Sequence, residues 1–165
     1  MLMKKVIIML VTCQLLLLAG CRSNTLTPKQ EAKKIEYTTK IEKPDLTFRP
    51  TTARTMGGRS INVNYSYSMR ISKDTIDAYL PYFGRSYTAP TDPSQLGIRF
   101  VSTDFVYTSE VKKNGSYDIK IEPKDISNTQ LLGLRMYFNV SNSGYGNLNV
   151  QFTNRQSISF YGTIE

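Results

Sequence analysis

Apolar and polar residues alternate with a period of two along most of the chain after residue 58. The pattern is clearest over residues 59–71, where the apolar positions are Ile61, Val63, Tyr65, Tyr67, Met69 and Ile71. Strict alternation over such a length is typical of an antiparallel sheet with one buried face and one solvated face. The same alternation recurs over residues 132–140, 147–152 and 157–164. The pattern therefore predicts an all-β body.

Further strands are predicted over residues 46–53, 75–80, 97–101, 105–111 and 117–121. Together they make eight or nine strands in sequential hairpins, with turns at Gly57-Gly58 and Lys73-Asp74 and no long helical crossover. An antiparallel meander of this length must hide its edge strands. An up-and-down barrel hides them most completely, and a two-sheet β-sandwich is the alternative.

The faces of the strands also predict how neighbouring strands pair. Directly opposed residues share a face, so Val111 is expected to pair with Tyr117 and Tyr107 with Ile121. This register predicts a three-residue loop over residues 113–115, with Gly115 in the left-handed conformation and a bulge. The same reasoning predicts one odd-length loop through Gly144 and another over residues 154–156.

A short helix is predicted before the first strand. Thr27 has the character of an N-cap, Pro28 suits the first helical position, and Gln30 stands three residues after the cap. The apolar stripe behind them is thin, so we expect a solvated helix that ends before Pro44. Residues 21–45 are accordingly interpreted as a tether with a short helix, and residues 46–165 as the barrel domain.

The N-terminus has the layout of a secretory signal. Lys4 and Lys5 precede an apolar run over residues 6–18, which is too short for a membrane-spanning helix of about 20 apolar residues. Leu18-Ala19-Gly20-Cys21 resembles the lipobox of bacterial lipoproteins. The resemblance implies that residues 1–20 are removed and that Cys21 becomes the lipidated first residue, which anchors the chain to a membrane. Two or more acyl chains hold a protein durably.

Few catalytic chemistries remain open to the mature chain. The sequence has no His, and Cys13 leaves with the signal, while the thiol of Cys21 is consumed by the lipid. Cys/His and Ser/His/Asp catalysis and Cys/His zinc sites are therefore excluded. The carboxylates fall mostly at turns or on solvated faces, without the spacing of a glycosidase pair or a calcium loop. We expect no enzyme activity, no cofactor and no metal site.

Net charge and chain length further narrow the class of protein. The formal charge is +8, and loss of Lys4 and Lys5 with the signal leaves +6. The basic residues are scattered rather than gathered on one face, and the compartment is wrong for nucleic acid, so no nucleic-acid partner is expected. A body of about 120 residues buries one core, which predicts a single domain. We expect a monomer.

Two stretches carry a family resemblance. Residues 79–87 read YLPYFGRSY with Ala-Pro shortly after, and residues 154–162 read NRQSISFYG. With Gly58-Arg59-Ser60-Ile61 and Lys112-Lys113, they make residues 48–165 similar to the DUF4251 family, a domain of unknown function. The chain departs from that pattern at Tyr117, where Trp is frequent, and over residues 91–96, which replace a Gly-rich loop.

The resemblance implies a small lipocalin-like barrel and an envelope lipoprotein of the Bacteroidetes type, and it brings no activity. No acidic run follows Cys21. Such a run acts as a surface-export signal in some Bacteroidetes lipoproteins, so the chain is expected at the outer membrane, facing the periplasm.

A functional surface is predicted at the aromatic stretch. One interpretation is structural: Tyr82 and Phe83 close the barrel mouth, while Arg85 packs on an aromatic ring or pairs with Asp104. The other is a recognition rim for a protein or glycan partner, since Tyr and Arg are enriched at binding hot spots. The rim residues are Tyr79, Tyr82, Phe83, Arg85, Tyr87 and Arg155, of which Arg155 is otherwise explained as a hairpin tip.

Two functions remain open. The first is a non-catalytic envelope lipoprotein that binds its partner through loops. The alternative is a barrel that carries a small apolar ligand in its interior. Bulky inward positions that fill a small barrel favour the first: Ile61, Val63, Tyr65, Met69, Leu134, Phe138, Val150, Phe152 and Phe160.

Overall fold

The computed structural model describes residues 27–88 and 96–165. In chain order the elements are helix α1 (Pro28–Glu42) and strands β1 (Leu46–Thr55), β2 (Ser60–Asn62), β3 (Ser68–Ile71), β4 (Ile76–Leu80), β5 (Ile98–Ser102), β6 (Phe105–Val111), β7 (Tyr117–Pro123), β8 (Arg135–Val140), β9 (Tyr145–Gln151) and β10 (Ile158–Ile164), with a 3-10 turn (Thr129–Leu131) before β8. No helix among the described residues is both long and apolar enough to cross a bilayer.

All ten strands belong to one antiparallel sheet. Its order is β5-β4-β3-β1-β10-β9-β8-β7-β6, and the short β2 pairs with β1 beside this path. The sheet rolls into a nearly closed barrel, so the all-β barrel prediction is confirmed and the two-sheet alternative is wrong. The first and last strands pair with each other, as an up-and-down barrel requires.

The two ends of the sheet meet because the chain between them is a single bent strand. β5 and β6 stand at opposite ends of the order, and the alternation of directions makes them run the same way. Only Thr103 and Asp104 separate them. Residues 98–111 therefore pair with β4 through their first half and with β7 through their second half.

The carboxylate of Asp125 holds the bend. Its Oδ1 accepts from the Ser102 hydroxyl at 2.5 Å, and its Oδ2 accepts from the backbone N–H groups of Thr103 at 2.8 Å and Asp104 at 3.2 Å. These hydrogen bonds lower the pKa of Asp125 to about 2. The backbone N–H of Lys124 also donates to the Asp104 carbonyl at 2.8 Å, which ties the end of β7 to the bend.

The barrel interior is packed with side chains. Phe48 and Phe138 meet edge to face near the centre, with 4.9 Å between ring centroids, and both are buried. Gly146 makes room for them, because a Cβ there would lie 2.6 Å from Phe138 Cε2 and 3.0 Å from Phe48 Cε2. Of the nine bulky positions expected to fill the interior, five are buried: Met69, Leu134, Phe138, Val150 and Phe160.

The predicted registers of the hairpins are confirmed. Val111 pairs with Tyr117 and Tyr107 with Ile121, and Gly115 has φ +78°. Gly144 has φ +82° in the β8–β9 loop. Val111 is nevertheless 62% exposed, and the other residues at the C-terminal end of β6, residues 108–110, are exposed as well.

The single strand predicted over residues 59–71 is wrong, and its division into β2 and β3 accounts for the tenth strand. Asn64 interrupts it: the side chain accepts from the Ser66 N–H at 3.2 Å, and the backbone carbonyl accepts from the Tyr67 N–H at 3.2 Å. Such an Asx turn competes with strand pairing. Tyr65 is consequently 68% exposed, with its ring under Arg49 rather than in the core.

Two other boundaries differ from the prediction. The strand predicted from residue 132 begins at Arg135, because Gly133 has φ +68° and Leu132 points into solvent. Helix α1 is not wholly solvated, since Ile41 in its last turn is fully buried in the barrel core. The Tyr107 hydroxyl donates to the Ile41 carbonyl at 3.0 Å, and burial raises the pKa of this phenol.

We expect Asp125→Asn to lower the thermal midpoint at neutral pH by weakening the bend. The folded-state pKa of Asp125 lies below the ordinary value of about 4, so the carboxylate stabilises the fold above about pH 4. That contribution is lost as the pH falls towards about 2, and the difference between variant and wild type should shrink over this window. Circular dichroism melts between pH 2 and pH 7 measure it.

The matched control is Asp104→Asn, at a residue that joins the bend through its backbone groups. It should melt within a degree or two of wild type. An Asp125→Asn variant as stable as Asp104→Asn at pH 7 would show that the hydrogen bonds of the Asp125 carboxylate do not stabilise the bend.

Candidate functional site at the strap

The aromatic stretch of the sequence forms a strap across one end of the barrel. We define the strap as residues 81–88, which follow β4 and lie against residues 153–156. The Tyr87 N–H donates to the Asn154 carbonyl and the Gln156 N–H to the Arg85 carbonyl, both at 2.9 Å. Ser86 and Arg155 form an isolated antiparallel bridge. Backbone hydrogen bonds therefore hold the strap against residues 153–156. Its side chains point either towards the barrel or into solvent.

Tyr82 points inwards and fastens the strap. Its hydroxyl lies 2.9 Å from both the Arg85 and the Gln156 carbonyl oxygens, and its ring packs edge to face on Phe152 with centroids 5.8 Å apart. Burial raises the pKa of this phenol. Gly84 has to be small, because a Cβ there would lie 2.5 Å from the Tyr82 hydroxyl oxygen.

Arg155 lies beneath the strap and is only 3% exposed. Its Nε and Nη2 donate to Gln130 Oε1 at 3.2 and 3.0 Å, and its Nη1 donates to the Leu96 carbonyl at 3.2 Å. The guanidinium carbon also stands 4.9 Å from the centre of the Tyr82 ring. Burial lowers the pKa of Arg155. The aromatic contact expected of Arg85 is thus made by Arg155, which is neither an exposed hairpin tip nor an exposed rim residue.

Gln130 is a part of this cluster that the sequence did not reveal. It is 4% exposed, and its Oε1 accepts from the Ser86 hydroxyl at 3.1 Å as well as from Arg155. Its backbone N–H is capped by the Asn128 side chain at 2.9 Å. A glutamine in a polar stretch between strands gives no sequence signal, because its partners come from distant parts of the chain.

The outer side of the strap borders a basic and aromatic cleft. This strap cleft has a volume of about 320 Å³ and is lined by Thr55, Gly57, Arg59, Phe83, Arg85 and Gln156. Phe83 is 39% exposed, and Tyr87 on the same strap is 67% exposed. The lining contains two arginines and no acidic residue. Arg59 was not among the predicted rim residues, although its position after a Gly-Gly turn was a usable signal.

Tyr79 belongs to a different surface. It is 43% exposed on the outer face of β4, with its ring 4.9 Å from the Tyr67 ring and 5.5 Å from the Arg99 guanidinium carbon. The structure therefore divides the six predicted rim residues into three groups. Phe83, Arg85 and Tyr87 are on the exposed strap, Tyr82 and Arg155 are beneath it, and Tyr79 is on the sheet.

The remaining candidate chemistry is sparse. Residues 27–88 and 96–165 contain no group of three or more acidic or Cys side chains that could hold a metal ion. Asp125 is engaged at the bend, and Asp118 accepts from Asn139 Nδ2 at 2.6 Å. Cys21 and the predicted signal lie outside the described residues.

Comparisons with known proteins agree with this architecture. The family model for DUF4251, described as a domain of unknown function, matches residues 28–164. A crystal structure of a DUF4251 family protein from Bacteroides eggerthii is similar in fold, with a TM-score of 0.58 and 7% sequence identity, and the match covers 82% of this chain and 90% of that chain. No curated protein matches the chain.

We expect Tyr82→Phe to loosen the strap without unfolding the barrel. The variant loses the hydroxyl that lies against two carbonyl groups, at a cost of about 1 kcal/mol. Amide hydrogen exchange should speed up about fivefold at Tyr87 and Gln156, whose N–H groups bind across the strap. Amides paired between β7 and β8 should be unchanged.

Tyr79→Phe is the control, because Tyr79 lies on the outer face of β4. Equal exchange at Tyr87 and Gln156 in wild type and Tyr82→Phe would contradict the fastening role of the hydroxyl.

Proposed function

The chain belongs to the DUF4251 family, and from this premise we propose that it is a non-catalytic, lipid-anchored protein of the cell envelope that binds a partner through the strap. The observation that carries the proposal is the exposed group of Phe83, Arg85 and Tyr87 on a strap fixed from beneath. Aromatic side chains on a strap whose backbone is already fixed lose little conformational entropy on binding, and arginine adds directional hydrogen bonds.

Of the two partner classes, the strap cleft suits a protein better than a glycan. Its lining offers Arg59 and Arg85 beside the apolar ring of Phe83. Two arginines favour a carboxylate, and an exposed ring favours an apolar group next to it. We therefore propose an acidic segment that carries an apolar side chain, on another envelope protein, as the partner.

The packed interior weighs against the alternative of an internal apolar ligand. Phe48, Phe138 and Phe160 are each at most 1% exposed and take up the space that such a ligand would need. The clefts found among the described residues are open to solvent and lie on the surface. A partner that binds from outside requires no rearrangement of the core.

The lipobox-like segment that ends at Cys21 supports a proposed location. We propose that acyl chains on Cys21 hold the protein at the outer membrane, and that the barrel faces the periplasm as a monomer. The envelope supplies protein and glycan partners and no nucleic acid. The absence of His from the whole sequence supports a binding role over catalysis.

Crosslinking in intact host cells tests the partner. With a photoactivatable phenylalanine analogue at Phe83, we expect a discrete crosslinked protein by mass spectrometry. The double charge reversal Arg59→Glu/Arg85→Glu should abolish the adduct, because it repels an acidic segment. The same analogue at Tyr79 is the control and should not capture that protein. Adducts that survive the reversal, or that contain glycan in place of protein, would refute the proposed partner.

The anchor is tested by intact mass and fractionation of the full chain from its host. We expect acyl additions on a chain that begins at Cys21 and partitions with membranes. The Cys21→Ser variant should lose both the additions and the partitioning. An unmodified wild-type chain, or a Cys21→Ser chain that still partitions with membranes, would contradict lipid anchoring.

A further inference from the structure

A second cleft lies on the outer face of β6 to β9. We call it the sheet cleft; its volume is about 400 Å³, and its walls include Asp118, Lys120, Tyr137, Asn139, Asn147 and Asn149. The volume falls in the range of small-molecule sites, about 300 to 1,000 Å³. None of these residues belongs to the strap or to the strap cleft.

The strand registers assemble these side chains in two rows. Lys120, Tyr137 and Asn149 are opposed across β7, β8 and β9. Asp118, Asn139 and Asn147 form the next row on the same face. Neighbouring strands lie about 4.8 Å apart and one face repeats every second residue, so the Tyr137 ring is bordered by amides on two sides.

Two of the charged side chains in the cleft, Asp118 and Lys120, are paired within the protein. Asp118 is paired with Lys112 at 2.5 Å, and Lys120 with Glu122 at 2.8 Å. Hydrogen bonds from Lys112 and then Asn139 lower the pKa of Asp118, so it stays ionised at neutral pH. A ligand therefore meets a polar surface whose remaining charge is the carboxylate of Glu110, which has no ion pair among the described residues.

Two groups in the cleft are available to a ligand. The Tyr137 ring is 39% exposed. The Asn147 side chain is exposed and forms no hydrogen bond within the described part of the chain. Beside it, Asn149 is held in place, since it donates to Ser159 at 2.9 Å and accepts from Gln151 at 3.0 Å. The cleft thus combines an aromatic platform with free and fixed amides.

The side chains of the sheet cleft favour one class of ligand over the others. An extended peptide cannot add a strand between β7, β8 and β9, because each of these is paired on both sides. Glu110 and Asp118 in the walls oppose an anion. An apolar ligand would leave the amides without partners. A neutral ligand with many hydroxyl groups satisfies the amides and offers a C–H face to the ring.

We propose that the sheet cleft binds a neutral oligosaccharide. Tyr137 supports the face of a sugar ring, and Asn139 and Asn147 hydrogen-bond to its hydroxyl groups. The site is independent of the strap, so the protein can hold a glycan on the sheet and a protein partner at the strap at once. Failure of either proposal leaves the other standing.

Isothermal titration of the purified full chain tests the proposal. The probes are neutral gluco-, manno-, galacto- and xylo-configured oligosaccharides. We expect saturable binding of at least one probe, and weakening of about tenfold in Tyr137→Ala through loss of the aromatic platform. Asn147→Ala, at an exposed side chain whose removal leaves the fold intact, should weaken binding about threefold or more.

Tyr79→Ala is the matched control, since Tyr79 and Tyr137 are similarly exposed, at 43% and 39%, on different strands of the same sheet. It should bind the probe as wild type does. Three outcomes overturn the proposal: no probe gives saturable binding, Tyr137→Ala and Asn147→Ala both retain wild-type affinity, or Tyr79→Ala loses as much affinity as Tyr137→Ala.

Discussion

The barrel depends on the bend at residues 103–104, where one chain segment belongs to both ends of the sheet. The segment before the bend completes the hydrogen bonding of β4, and the segment after it completes that of β7. The bend thereby joins the two ends of the sheet order and nearly closes the barrel. Asp125 accepts hydrogen bonds from residues 102, 103 and 104 and fixes the direction of the turn.

A barrel this small leaves little room in its interior. A small barrel encloses a volume that side chains can fill, and here aromatic rings from β1, β8 and β10 do so. The helix end enters the same core through Ile41. Because the interior is filled, the proposed recognition is assigned to loops and to the outer face of the barrel. The strap cleft and the sheet cleft are the two proposed places, and they differ in charge: the lining of the first contains two arginines, and that of the second contains the unpaired carboxylate of Glu110.

The sequence predicted the parts of the fold that depend on local alternation. It placed Val111 opposite Tyr117 and gave Gly115 a left-handed conformation, because side-chain parity and turn length determine each other. It failed over residues 59–71, where a single Asn64 side chain outweighs an otherwise regular pattern. Local hydrogen bonding to the backbone is invisible to a hydrophobic pattern.

The candidate site was predicted less well than the fold. The sequence located the aromatic stretch but did not separate its inward and outward members, because Tyr82 and Tyr87 look alike as residue types. It also exchanged the roles of Arg85 and Arg155. The burial of Arg155 depends on Gln130 and Tyr82, which are far from it in the chain, and such long-range pairing follows from the closed topology.

Residues 98–111 nearly close a filled barrel, because they pair with β4 through their first half and with β7 through their second half. Nuclear Overhauser contacts in the purified protein measure this directly. We expect backbone contacts from residues 98–102 to β4 and from residues 105–111 to β7, and side-chain contacts between the rings of Phe48 and Phe138. If either half of the bent strand lacked its contacts, or if those two rings were separated by a bound molecule, the account would be contradicted.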